Sequence, residues 1–200
     1  MEELRLEIEE LGSGDANFFG GKYTGGIHLM QIPKEITQCI KYLMDNDKSI
    51  NSYLEIGSAG GGTAYVFNKF FDIKTMVLID DNSMDQSKLR ESILSDINYS
   101  EFIGDSQSKE AVEFVSDLDQ TFDIVFIDAS HTYGGASADV VNYSRFVSPG
   151  GYLIMHDVFG EPGVRKLFSS MKNSREPASI VEFVDHNHWY PMGIGVVKRM

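Results

Sequence analysis

The sequence is short of positive charge, of cysteine and of long apolar runs. Lysine and arginine total 17 against 30 acids, a net charge of −13. A surface of that sign repels the phosphates of nucleic acid and the head groups of an anionic membrane, so neither is expected as a partner. The single cysteine, Cys39, excludes an internal disulfide framework and a cysteine-rich metal site. It shares a helical face with Ile36 and Ile40 and is expected to be inert core. No apolar run reaches the about 20 residues that cross a bilayer as a helix. Met1-Glu-Glu-Leu-Arg5 carries no signal-peptide pattern, so a cytoplasmic location is expected. Internal repeats and low-complexity linkers are absent too.

What is present suits one compact unit: 200 residues, 42% hydrophobic and 12% aromatic, enough for a real core. Residues 1–49 read as an acidic arm with Leu4, Ile8 and Leu11, a glycine-rich aromatic segment over 13–32 that could close over a site as a lid, and a helix opened by Pro33. Residues 50–200 read as the main domain. There, short apolar runs alternate with helical patterns. Ser52–Ile56 enters a glycine turn, Gly57-Ser58-Ala59-Gly60-Gly61-Gly62, followed by a helix with Ala64, Phe67, Phe70 and Phe71 on one face. Thr75–Asp80 is a strand. Ser83-Met-Asp-Gln86 has the form of a capping box, with Leu89, Ile93, Leu94 and Ile97 inward on the helix it would start. Glu101–Gly104 is a short strand before a further helix. Phe122–Asp128 is the most apolar strand and is expected at the sheet centre. A loop from Ala129 to Gly135 precedes a helix through Val140, Tyr143 and Val147. Ser148-Pro-Gly-Gly151 breaks the chain before Tyr152–Asp157, and two last strands follow.

Five strand–helix units in a row imply a parallel sheet with helices on both faces. Ligands of such sheets sit beyond the carboxyl ends of the strands, at the switch point. Those ends carry Glu55, Asp80, Asp105, Asp128 and Asp157, a convergent acidic rim. A loose dinucleotide fingerprint can be read over Gly57–Gly62, with Asp80 at a distance suited to a ribose. Yet each such carboxylate, about 4–6 Å from a phosphate, would cost it about 3–4 kcal/mol at an effective dielectric near 20. The same acids favour S-adenosylmethionine, which carries a sulfonium, an ammonium and a ribose diol and no phosphate.

Glu55-Ile-Gly57-Ser58-Ala59-Gly60-Gly61, Asp80, Gly104-Asp105-Ser106 and Phe126-Ile-Asp128 resemble the ordered motifs of class I S-adenosylmethionine-dependent methyltransferases. Ile127-Asp128-Ala-Ser-His131-Thr-Tyr133, Asp139, Pro149-Gly-Gly and His156-Asp157 are similar to a bacterial subgroup related to catechol-type and sugar O-methyltransferases. The resemblance implies a doubly wound, mostly parallel seven-stranded α/β sheet with an antiparallel last strand, the Rossmann-like methyltransferase fold. It implies O-methylation of a small hydroxylated acceptor, a sugar or natural product. An NAD(P)-dependent oxidoreductase and a non-catalytic binding module on the same fold are the alternatives. A homo-oligomer is left open.

The resemblance also assigns roles. Glu55, Gly57, Ser58, Ala59 and Gly61 would hold the methionine end, Asp80 the ribose, and Asp105 and Ser106 the adenine, with Asp128 alongside. Many relatives have glycine where Ala59 stands, which asks for a small backbone adjustment. Asp128 and Asp157 fall where catechol-type relatives bind a divalent cation such as Mg²⁺. The further amide ligand of those relatives is replaced here by Val158, and His156, just before Asp157, is the candidate further ligand of this chain. His131 stands where those relatives place a basic catalytic side chain, and imidazole can accept a hydroxyl proton near neutrality. Tyr133, His188 and Trp189 are the candidates for shaping the acceptor pocket.

Overall fold

The computed structural model describes residues 1–12, 26–46, 49–173 and 179–199. Residues 13–25 of the expected lid lie outside the described residues. Seven strands form one sheet: β1 (Ser52–Ile56), β2 (Thr75–Asp80), β3 (Ser100–Ile103), β4 (Phe122–Ile127), β5 (Val147–His156), β6 (Ser179–Phe183) and β7 (Ile194–Lys198), in the spatial order β3-β2-β1-β4-β5-β7-β6. The first five pair parallel, and β7 runs antiparallel between β5 and β6. The most apolar run, β4, is the middle strand, as expected. The chain leaves β1 toward β2 and β3 on one side and returns to β4 and β5 on the other. Their carboxyl ends therefore part at β1 and β4, the switch point of the sheet.

Helices cover both faces. α1 (Glu2–Leu11), α2 (Pro33–Asn46) and α3 (Gly62–Phe70) lie on one, where Ile36, Cys39, Ile40, Tyr53, Phe67 and Phe126 form the larger core. The alternate strand residues Leu54, Ile56, Val125 and Ile127 face α5 (Lys109–Ser116) and α6 (Tyr133–Tyr143) on the other. That inward/outward alternation is the period of two expected of a strand. α7 (Pro162–Lys172) packs on α6 through Ala136, Val164 and Phe168. Cys39 is wholly buried, and burial pushes its thiol up, out of the reactive range. No helix of the described residues is long and apolar enough to cross a membrane.

Three local expectations need correction. α4 (Ser87–Ile93) starts four residues after Ser83, and Leu94 and Ile97 lie beyond its end. The capping box does not form because Asn82 and Asp85 take left-handed φ of 55° and 52°, and Gln86 turns its amide to His28, 3.1 Å away. α6 starts at Tyr133 rather than after Gly135, because the Thr132 hydroxyl caps it by accepting from the Gly135 N–H, and it ends at Tyr143, with Val147 already the first residue of β5. Ser148–Gly151 does not break the chain. It is absorbed into β5 as an irregularity, with the Gly150 N–H donating to the Arg199 carbonyl.

Phe67 stacks on Tyr53 and meets Phe126 edge-on at the centre of the larger core. Phe67→Ala is expected to lower stability by about 3–5 kcal/mol. Urea unfolding should show it as a fall in midpoint at unchanged slope.

Candidate active site

The glycine turn is shaped by the strand beside it. Gly57 has φ +87°, and a Cβ there would lie 2.2 Å from the Asp128 carbonyl oxygen. Only glycine fits that approach. The ladder continues one step past the strands, with Gly57 N–H donating to Ile79 O and Asp128 N–H to Ile56 O, both at 2.8 Å. Ala59 takes a left-handed φ of 42°. Its N–H donates to Asp80 Oδ2 at 2.8 Å, and the other Asp80 oxygen accepts from Asn82 N–H. The Gly61 N–H is used up on Ser58 O, at 2.7 Å.

Two adjoining cavities open above this turn. The first, about 280 Å³, lies between the ends of β2, β3 and β4 and is lined by Gly57, Ala59, Asp80, Asp105, Ser106 and Asp128 among others. The second, about 190 Å³, is bounded by Ser58, Asp128, His131, His156, Asp157 and Glu161, with His28 and three methionines, Met30, Met84 and Met192, on its other walls. Gly57, Ala59, Met84, Asp128 and Ala129 line both. Most residues singled out in the sequence therefore meet at one place.

Five do not line either cavity. Glu55 is 1% exposed on β1, beneath the turn, and its carboxyl is held well above the usual range by burial and then by Asp128. Gly61 faces Arg90 and Leu94 instead of the opening. Tyr133 carries Lys166 over its ring. His188 and Trp189 stand in the β6–β7 loop, with Trp189 68% exposed. That loop does lie at the ligand end of the sheet, and the Tyr190 hydroxyl reaches the Glu161 carboxylate at 3.3 Å.

The second cavity holds a chain of acids and imidazoles. His131 Nε2 lies 3.0 Å from Asp157 Oδ2, and His156 Nδ1 lies 3.3 Å from the same oxygen and 3.2 Å from Asp128 Oδ1. Gln31 Nε2 donates to the remaining Asp128 oxygen at 3.1 Å. The bond to Asp157 is the main reason that His131 is more basic than usual; burial opposes it. Asp157 is held below the ordinary carboxylate range by the two imidazoles, against its burial. Both Ala59 and Asp157 (φ 61°) are non-glycine residues in left-handed backbone at the ligand edge. Asp128, His131 and Asp157 offer donor atoms within 4.8 Å of one another. His156 is not in that group; it grips both carboxylates from within and is 4% exposed.

Two supports escaped the sequence reading. Arg90, 1% exposed, sits behind the turn. It binds Ala59 O, Asn82 Oδ1 (2.9 Å) and Glu101 Oε1 (2.5 Å), with Asp80 at 3.7 Å. Glu35, wholly buried in the first turn of α2, accepts from Asp185 N–H at 2.9 Å and Gly193 N–H at 2.7 Å. It ties both ends of the β6–β7 loop to α2, beside the Lys34–Asp185 ion pair.

Residues 54–158 match the methyltransferase domain family. No curated protein matches the sequence. Among solved structures, an O-methyltransferase from Bacillus cereus in complex with S-adenosylhomocysteine has a TM-score of 0.67 at 14% identity, over 100% of this chain and 92% of that one. The O-methyltransferase TomG from Streptomyces achromogenes, involved in tomaymycin synthesis and solved with S-adenosylmethionine, gives 0.66 at 16%, over 97% and 90%. MycE methyltransferase from the mycinamycin biosynthetic pathway, solved with Mg and S-adenosylhomocysteine, gives 0.59 at 20%, over 96% and 53%. At these identities the likeness is one of fold.

Arg90→Met keeps the aliphatic volume and removes the donor shared by Ala59, Asn82 and Glu101. Chemical unfolding should show a loss of about 3 kcal/mol, the low end for a broken buried pair, because the Glu101 side chain remains 24% exposed.

Proposed function

This chain belongs to the methyltransferase domain family, and from that premise we propose that it moves the methyl group of S-adenosylmethionine to a hydroxyl oxygen of a small acceptor. One observation carries the reading. Asp128 lines both cavities, and the His131–Asp157 pair stands in the second, next to the turn that the two cavities share. The donor occupies the first cavity, with adenine at Asp105 and Ser106, ribose at Asp80 and the methionine end along Gly57–Ala59. Each Asp80 oxygen accepts one backbone N–H and keeps a lone pair for a ribose hydroxyl. Among the described residues, no lysine or arginine lines either cavity. That supports a cationic donor over a phosphorylated dinucleotide.

The acceptor enters the second cavity, against Met30, Met84 and Met192. Its volume of about 190 Å³ suits a small, partly apolar molecule. With Nε2–H given to Asp157, Nδ1 of His131 is left to accept the acceptor's hydroxyl proton. The oxygen attacks the methyl carbon in line, the carbon–sulfur bond breaks, and S-adenosylhomocysteine leaves. The chain's part is chiefly to position the two reactants and remove that proton.

A second reading rests on the three converging donors. Asp128, His131 and Asp157 offer donor atoms within 4.8 Å of one another, a set that a small side-chain shift would close around one divalent cation. Two carboxylates and an imidazole suit Mn²⁺, Fe²⁺ or Zn²⁺ as well as Mg²⁺. When bound there, such an ion supplies a lowered pKa to an acceptor hydroxyl.

Titration calorimetry tests the donor. S-adenosylhomocysteine is expected to bind below 1 mM, Asp80→Ala to weaken it about tenfold or more, and NAD(P) not to bind; the reverse order of ligands would refute the reading. With any hydroxylated acceptor that turns over, His131→Gln should lower kcat by about 10²–10⁴ and leave S-adenosylhomocysteine affinity within about twofold. Loss of activity in EDTA, restored by Mn²⁺ or Mg²⁺, would assign the proton step to the ion rather than to free His131.

A further inference from the structure

α6 passes beneath the turn that joins β3 to α5 and holds it at two points. Asp139, wholly buried, accepts the Ser106 hydroxyl proton on Oδ1 at 2.7 Å. Tyr143, one helical turn on, donates its hydroxyl to the Ser106 carbonyl at 2.6 Å. The second Asp139 oxygen is buried with no hydrogen-bond partner among the described residues. Ser106, together with Asp105 and Gln107, lines the first cavity. Asp139 itself does not, and the methyl-transfer chemistry makes no use of it.

A serine hydroxyl has one proton and two lone pairs. Here the proton points inward to Asp139, so the cavity meets only lone pairs at Ser106 Oγ. A ligand edge that donates is welcome there, and an edge that accepts is not. The 6-amino group of adenine donates; the 6-oxo group of hypoxanthine accepts.

We propose that Asp139 is a positioning residue that fixes the hydrogen-bond polarity of Ser106, so that the first cavity selects a 6-amino purine nucleoside over its 6-oxo counterpart. This rests on placing the donor's adenine at Asp105 and Ser106. The selection is switchable by proton. Burial raises Asp139 to about 6, against the lowering effect of the Ser106 bond, and the charge of Asp105 across the turn adds to the rise. The other groups that bear on it are the Ser130 backbone from the β4–α6 loop and the Tyr143 hydroxyl on its own helix, which in turn feels Arg145. Above pH 6 the carboxylate can only accept, and Ser106 is held as an acceptor toward the ligand. Below pH 6 the carboxyl gains a proton of its own to donate to Ser106 Oγ. The serine proton is then released toward the cavity and the 6-oxo ligand gains.

The test is calorimetry with S-adenosylhomocysteine and S-inosylhomocysteine from pH 5 to pH 8. For the wild type, the affinity ratio should favour the adenosyl compound about tenfold at pH 8 and fall severalfold toward pH 5, with a midpoint near 6. Asp139→Asn, which presents both a donor and an acceptor, should lower the ratio at pH 8 and remove its pH dependence; Ser106→Ala should do the same. A folding defect alone would weaken both compounds together and leave their ratio and its profile in place. If Asp139→Asn does not fold, the wild-type profile and Ser106→Ala decide. A ratio that stays flat with pH in the wild type, or survives either substitution, overturns the proposal. Wild-type protein that binds neither compound overturns the donor assignment itself, and this inference with it.

Discussion

Main chain meets main chain where Gly57 lies against the carbonyl of Asp128, and the rest of the site depends on that contact. It brings the ends of β1 and β4 within a distance that a single methyl group would fill. Because β1 to β5 are parallel, their carboxyl ends reach one edge of the sheet together. Asp80, Asp105, Asp128 and Asp157 converge there through register rather than through mutual attraction. Four acids so close would repel one another in isolation. The fold supplies what offsets that: backbone N–H groups on Asp80, imidazoles on Asp128 and Asp157, and a buried guanidinium behind the turn. Carboxylates in such surroundings are held by hydrogen bonds as much as by charge.

Much of this was legible in the residues. The change from period two to helical spacing located all five strand–helix units, and apolarity alone put β4 in the middle. The acids at the strand ends and the glycine turn were visible because they are local in sequence. The seven-stranded sheet and the antiparallel β7 came from the family resemblance, and the topology agrees. The methyltransferase family match leaves no place for the oxidoreductase alternative.

The parts that were not legible join distant stretches. Gln31 reaches Asp128 across 97 residues, and Glu35 reaches Gly193 across 158. No local pattern encodes such partners. There was one faint signal, though. Glu35, Arg90 and Asp139 each stand four residues before a buried residue of their own helix or its cap: Cys39, Leu94 and Tyr143. A charged side chain on the apolar stripe of a helix must find a buried partner or be expelled. All three found one, and all three brace the site from behind. Glu55 is a different case: its position in the motif is right, and strand alternation turns it beneath the turn, where its charge is costly. The β6–β7 loop lies at the ligand end of the sheet, yet His188 and Trp189 lie outside the cavities, with Trp189 68% exposed.

The manner in which Glu35 holds that loop has an evolutionary reading. It grips two main-chain amides, at 185 and 193, and no side chain between them. An amide is offered by every residue but proline. Positions 186–190 can therefore drift in composition while the anchor points stay pinned to α2. Sequence in that loop is thereby uncoupled from the integrity of the sheet. A lineage built on this frame can vary the rim of the sheet's ligand end at little cost to folding.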